Sequence, residues 1–297
     1  MNENDVRLNS PRAWLLAARP KTLTGAAVPV MIALALAWAD MGRLRPVPAV
    51  LCLLFALLMQ VDANLINDYF DYLKGTDDEQ RLGPRRACAQ GWVTLPAMRW
   101  AIAAVTAAAC LTGLPLILYG GWWMVAVGVA CVVFCFLYTT HLSYLGLGDV
   151  LVLLFFGFVP VCATYYLQTD AVGWVTAAAA LACGLVIDTL LVVNNYRDRD
   201  NDRRTGKVTL VVRIGQRATE WLYWGLGASA CLLGVVFLVR GYVWATLLPL
   251  GYLVLHTLTW RRMKAIAHGR LLNEVLGANA RNMLVYGLLV ALGLLIG

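Results

Sequence analysis

The chain has 297 residues, 61% hydrophobic and 14% charged, with a net charge of +7 and a mean hydropathy of +0.69. A soluble domain carries roughly a quarter charged residues, so the composition excludes a soluble enzyme and indicates a polytopic membrane protein. The positive balance comes from a lopsided distribution of Lys and Arg over the loops and does not indicate nucleic-acid binding.

Nine apolar stretches fall near residues 22–39, 47–66, 97–118, 121–140, 149–168, 172–193, 218–238, 242–259 and 281–297. Each is close to the length that crosses hydrocarbon as a helix. No strand-length alternation recurs, so the expected fold is all-α, a helical bundle in one transmembrane domain over residues 1–297. Residues 12–39 share features with a signal peptide, ending in Ala37-Trp38-Ala39 before Asp40. The polar lead is long for one and the apolar run exceeds a typical signal core, so a retained first span is expected.

The second stretch closes on Asn64-Leu65-Ile66-Asn67-Asp68-Tyr69-Phe70-Asp71, followed by Gly75, Asp77, Asp78 and Glu79. Asn64, Asn67, Asp68 and Asp71 are spaced i, i+3, i+4, i+7 and share one helical face. The sixth stretch closes on Asn194-Asn195-Tyr196-Arg197-Asp198, with Asp202 beyond, so that Asn195, Asp198 and Asp202 form a second stripe. Asn67 and Asn194, Asp68 and Asn195, and Asp71 and Asp198 are each 127 residues apart, which predicts two pseudo-repeated four-helix halves plus a last helix. Asp202 has Gly75 as its counterpart, so Asp77 is the expected replacement ligand in the first cluster.

Of 24 Lys and Arg residues, 21 lie on one side of the nine-span topology, and only Arg43, Arg45 and Arg240 on the other. The positive-inside rule then puts the N-terminus and both clusters in the cytoplasm. The eight cysteines lie mostly within the spans and include no Cys-x-x-Cys pair, so they read as small core residues.

Carboxylates near membrane-helix ends usually face a polar cavity or a partner. Hard oxygen ligands from Asp68, Asp71, Asp77, Asp198 and Asp202 suit magnesium, which binds through a few carboxylates plus substrate phosphates. Among the neighbouring basic residues, Lys21, Arg197 and Lys207 are the candidates for holding phosphate oxygens, with Asn64, Asn67 and Asn195 as polar partners. Metal plus cations stabilises a departing diphosphate, which makes Asp68, Asp71, Asp198 and Asp202 the candidate catalytic carboxylates. Asp62 and Asp188 precede the two clusters inside the apolar runs, 126 residues apart, as partners of the clusters or additional acids. Asp149 opens the fifth span and could orient an acceptor or a cation. His141, His256 and His268 are not assigned to metal.

These motifs resemble the UbiA superfamily of intramembrane aromatic prenyltransferases, and most of all its 1,4-dihydroxy-2-naphthoate branch. The resemblance runs in order through Ala18-Arg19-Pro20-Lys21-Thr22-Leu23, Asn64 to Asp71 and Gly75-Thr76-Asp77, then Gly83-Pro84-Arg85-Arg86. It continues through Gly146-Leu147-Gly148-Asp149, Phe155-Phe156-Gly157, Thr164-Tyr165-Tyr166, Asn194 to Asp202, Gly206-Lys207 and Arg213. Two departures stand out. The family commonly has Asp at the position of Gly75. It more often has Glu at Asp149, with an Arg near Leu145.

The resemblance implies nine helices around a central cavity in a bacterial inner membrane, with a lateral opening for an isoprenoid tail. It implies a magnesium-dependent transfer from an allylic polyprenyl diphosphate to the naphthoate ring, with loss of carbon dioxide, giving demethylmenaquinone. A dry cavity would protect the cation-like transition state from water. Ring faces could stabilise it, from among Tyr69, Phe70, Tyr138, Tyr144, Phe155, Phe156, Tyr165 and Tyr166. Two other readings fit the same clusters: the same chemistry on another aromatic acceptor, such as 4-hydroxybenzoate, and a cation-coupled transporter with pseudo-symmetric carboxylates. Against the transporter, the clusters fall at span ends and neither sits on an obvious broken helix. Prenyl chain length and oligomeric state are not legible in the sequence.

Overall fold

The computed structural model describes residues 6–75 and 82–297. Among these residues there is no strand, and nine helices are long and apolar enough to cross a membrane. In chain order the spans are Pro11–Met41, Pro46–Leu73, Leu95–Gly120, Trp123–Thr140, Gly148–Thr169, Trp174–Arg204, Leu210–Arg240, Val243–Ile266 and Leu272–Ile296. The expected count holds, but the first and last spans begin about ten residues earlier than their apolar cores. Amphipathic turns at their starts lie among other helix ends and so escape a reading based on hydrophobicity alone.

Span one is built in two pieces. Ser10 caps the helix Pro11–Ala18 by accepting the Ala13 amide at 3.3 Å. The helix stops at Arg19, which has a left-handed φ of 50°. The following Pro20 disfavours helical geometry in the residue before it. A short 3-10 turn, Pro20–Thr22, carries Lys21 and leads into the helix Leu23–Met41.

Span six is the axis of the bundle: 67% of its most apolar window is buried, against 33% for span two and 11% for span four. The two halves therefore share their order of neighbours, with span two packed on span three and span six on span seven, but not their depth. Large exposed side chains such as Leu118 and Leu232, and Trp122 and Trp174 near span ends, form the surface expected to face lipid and its interfaces.

Spans five and six approach unusually closely. Span five contains a π-helical turn, Leu153–Phe158, and a Cβ on its Gly157 would lie 2.8 Å from the Ala180 carbonyl and 2.9 Å from the Gly184 Cα. Only glycine permits that crossing. At the end of the bundle away from the clusters, Asp40 accepts hydrogen bonds from Tyr165 at 2.6 Å, Tyr242 at 2.8 Å and Arg240 at 3.0 Å. Tyr165, a candidate for stabilising a cation, is thus engaged at the opposite end, because the two ends of span five are separated by its full length.

Candidate active site

The first cluster fastens the end of span two to its surroundings. The buried Asn64 donates to the Ala18 carbonyl at 2.9 Å and to the Thr22 hydroxyl at 2.8 Å, which fixes the Arg19–Thr22 turn and places Lys21 at its exposed side. Asn67 accepts from the Thr139 hydroxyl of span four. Asp68 is 1% exposed and accepts the Ala87 amide at 2.9 Å and the Cys88 amide at 3.0 Å. It thus caps the turn at 87–90 from another helix, satisfying amides that a turn leaves open. One helical step on, Asp71 accepts from the buried Arg86 at 3.2 Å. The i, i+3 spacing of Asp68 and Asp71 lets both grip the 86–88 segment.

Lys74 closes this end. Its ammonium donates to the Thr139 and Thr140 carbonyls at 3.1 and 2.7 Å. Its pKa lies below the usual lysine value, mainly through burial and further through the like charge of Lys207, against the opposing pull of Asp71. The cation of the first cluster and the Lys207 of the second therefore share one electrostatic environment.

In the second cluster Arg197 is 2% exposed. It meets Asp198 at two points, 2.8 and 2.5 Å, and donates to Asn194 and Asn273, each at 2.8 Å. Asn273 in turn donates to the Leu82 carbonyl at 2.8 Å. This relay joins the second cluster to the loop that follows the first. Asp202 is buried, and one of its oxygens lies 3.8 Å from the Lys207 ammonium. Gly206, with φ 75°, turns the chain so that Lys207 returns onto Asp202.

Beside the second cluster lies a narrow cleft lined by Tyr138, Gly148, Asp149, Asn195, Lys207 and Thr209. Its free space is about 10 Å³, roughly one water. Tyr138 lies within electrostatic reach of Asp149, Asp188, Asp71 and Asp202, so carboxylates from both repeats and from span five act on the same phenol.

The expected site residues are thus brought together at one end of the bundle, in different roles. Asp71, Asp198 and Asp202 each face a cation, whereas Asp68 and Asn64 fasten backbone. Asp77 lies outside the described residues. Among the described residues no three carboxylate, thiolate or imidazole groups converge on one point. The donor set is nonetheless all hard oxygen, and magnesium commonly takes only one or two carboxylates, with substrate phosphates completing its shell, so these residues suit it. Sequence reasoning missed Asn273, Thr139 and Thr140. Asn273 sits just inside the early start of span nine, and the threonines act partly through backbone carbonyls that no side-chain pattern reveals.

The profile of the UbiA prenyltransferase family matches residues 26–271. The 1,4-dihydroxy-2-naphthoate octaprenyltransferase of Mycobacterium tuberculosis is 38% identical over 230 residues, covering 76% of this chain and 78% of that protein. The protein of the same name from Escherichia coli is 36% identical over 71% of each chain, and that from Mycobacterium leprae 33% identical over 94% of each. Among solved structures, a UbiA homolog from Archaeoglobus fulgidus bound to GPP and Mg2+ superposes with TM-score 0.67 at 14% identity, over 94% of this chain and 99% of that one. The apo structure of a UbiA homolog from Aeropyrum pernix gives 0.67 at 17% identity, over 92% and 97%.

Proposed function

Because the chain belongs to the UbiA prenyltransferase family, we propose that it transfers a polyprenyl group from an allylic diphosphate to 1,4-dihydroxy-2-naphthoate. Diphosphate and carbon dioxide leave, and the product is the reduced form of demethylmenaquinone. The observation that carries this reading is the pair of facing clusters, each combining carboxylates with a cation, in a chain more than 30% identical to several naphthoate prenyltransferases over most of its length.

Arg197 and Lys207, with Lys21 at the rim, bind the diphosphate. Asn195 orients it from the cleft wall, and Asn67 does so from span two. Asp71, Asp198 and Asp202 supply oxygen ligands for magnesium, with Asp77 as the further carboxylate of the first cluster. Magnesium, when bound, neutralises the leaving group and weakens its bond to the allylic carbon. Asp68 and Asn64 hold the frame on which these groups sit. The ring carbon bearing the carboxylate attacks the prenyl carbon, the carbon–oxygen bond to diphosphate breaks, and loss of carbon dioxide returns the ring to aromaticity. The narrow cleft keeps water from the cation-like centre. The cluster end faces the cytoplasm of a bacterial inner membrane, where the diphosphate donor and its metal are available.

Membranes carrying the protein, given a polyprenyl diphosphate, magnesium and a panel of aromatic acceptors, test this directly. Prenylated naphthalenediol with stoichiometric carbon dioxide is expected. Prenylation of 4-hydroxybenzoate and not of the naphthoate would assign the chain to another acceptor, and no transfer to any ring would remove the enzyme reading.

A further inference from the structure

The seam between the cluster ends of spans seven and eight carries an aromatic and basic group that the transfer reaction does not use. On span seven Arg217, Trp221 and Trp224 are spaced i, i+4, i+7, and on span eight Trp260, Arg261 and Lys264 follow at i, i+1, i+4, so each set shares a helix face. The three indoles pack as one body, with Trp221 5.1 Å from Trp260 and 6.3 Å from Trp224, centre to centre. Two of them are fixed from behind: Trp260 donates to the Glu220 carbonyl at 2.7 Å and Trp224 to the Thr257 hydroxyl at 3.2 Å. The third, Trp221, is 56% exposed, and its N–H has no partner among the described residues.

The Lys264 ammonium lies 4.4 Å from the Trp260 ring centre and 5.8 Å from that of Trp221. A side chain on a helix leans back over the preceding turn, and the ring faces hold the cation there. Arg262 is taken up by Glu274 of span nine. Among the described residues Arg217, Arg261 and Lys264 form no ion pair, so this exposed surface is positive and uncompensated.

Its level in the bundle follows from Glu220, which precedes Trp221 and accepts the hydroxyl of Tyr196, inside the second cluster, at 2.8 Å. The rings therefore sit at the span ends, where tryptophans meet the membrane interface. Arg217 and Lys264 each stand one helical turn nearer to the water. In the opposite direction Val254 and Leu258 share a stripe with Arg261 and are 62% and 55% exposed. The surface thus reads, from water inwards, as cations, indoles and an apolar track.

We infer that this seam binds the headgroup of an anionic phospholipid in the leaflet at the cluster end. The phosphodiester lies between Arg217 and Lys264 and accepts from the Trp221 N–H, and an acyl chain runs along Leu258 and Val254. Basic pockets between membrane helices recognise anionic headgroups in this way. Free phosphate would satisfy the cations and leave the apolar track bare. A zwitterionic lipid would bring its own ammonium into a positive patch.

The test is native mass spectrometry and thermal unfolding of the purified full chain in neutral detergent, titrated with phosphatidylglycerol, phosphatidylcholine or inorganic phosphate. Phosphatidylglycerol should bind about tenfold more tightly than phosphatidylcholine and raise the melting temperature, and inorganic phosphate should do neither. Arg217→Gln and Lys264→Gln should each weaken phosphatidylglycerol about fivefold, and the double variant about tenfold to thirtyfold, with phosphatidylcholine unmoved. Lys264→Arg, which keeps the charge, should retain binding. Arg43→Gln, at an exposed cation on the other end of the bundle, should change the affinity less than about twofold. Equal affinity for the two lipids, an unaltered double variant, an equal loss from Arg43→Gln, or displacement of the lipid by inorganic phosphate overturns the assignment.

Discussion

Arg197 and Asp198 are adjacent in the chain and still form a two-point ion pair, Nε to one carboxylate oxygen at 2.8 Å and a terminal nitrogen to the other at 2.5 Å. Neighbours on a helix ordinarily point in different directions. Here Asn194 and Asn273 pull the guanidinium across the helix end, so that a cation and an anion are presented side by side. Arg197→Lys removes the planar fork but keeps the charge. We expect kcat/KM for the prenyl diphosphate to fall about tenfold to a hundredfold, with Asn273→Ala producing a smaller loss in the same parameter.

The two acids of the first cluster separate in their consequences. Asp68→Ala leaves the buried Ala87 and Cys88 amides unpaired and should lower stability by about 2–4 kcal/mol. Asp71→Ala, at a partly open ion pair, should abolish turnover with a much smaller loss of stability. Thermal unfolding in detergent beside single-turnover transfer distinguishes the two, and equal destabilisation by both substitutions would contradict the assignment.

Chelation should stop transfer, and added magnesium should restore it. A metal-dependent rise in thermal stability in the presence of inorganic diphosphate is expected for the wild type and should vanish in Asp198→Ala and Asp202→Ala. Full activity in chelator would remove the metal from the mechanism.

Gly157→Ala drives a methyl group into the Ala180 carbonyl and the Gly184 backbone. Overpacking of this kind costs about 1–3 kcal/mol. Thermal unfolding in detergent, beside the wild type, reads that loss directly.

At the far end, Arg45 holds the Asp170 carboxyl below its ordinary range through a two-point hydrogen-bonded pair. A lowered carboxylate pKa stabilises the fold above the unfolded value near ~4 and loses that effect as pH falls through the folded value. The pair is exposed, so Asp170→Asn should cost no more than about 1 kcal/mol at neutral pH and leave transfer unchanged. The difference between variant and wild type in thermal unfolding should disappear in acid.

The membrane character, the number of spans and the two clusters are written in composition and spacing, because apolar length and helical periodicity are local properties. The 127-residue offset between Asp71 and Asp198 is likewise visible in the chain. What the spacing does not carry is the partner of each acid. Asp68 and Asp71 share one stripe, and only the return of the 86–88 segment makes one a cap and the other an ion pair. Asn273 reaches Arg197 across 76 residues. The close passage of spans five and six depends on Gly157 meeting Gly184, a contact between helices whose closeness no single helix encodes. The sequence by itself determined which chemistry is present and at which helix ends. Tertiary packing decided which oxygens are engaged and by which partners, because hydrogen-bond partners and desolvation depend on groups brought together from distant parts of the chain.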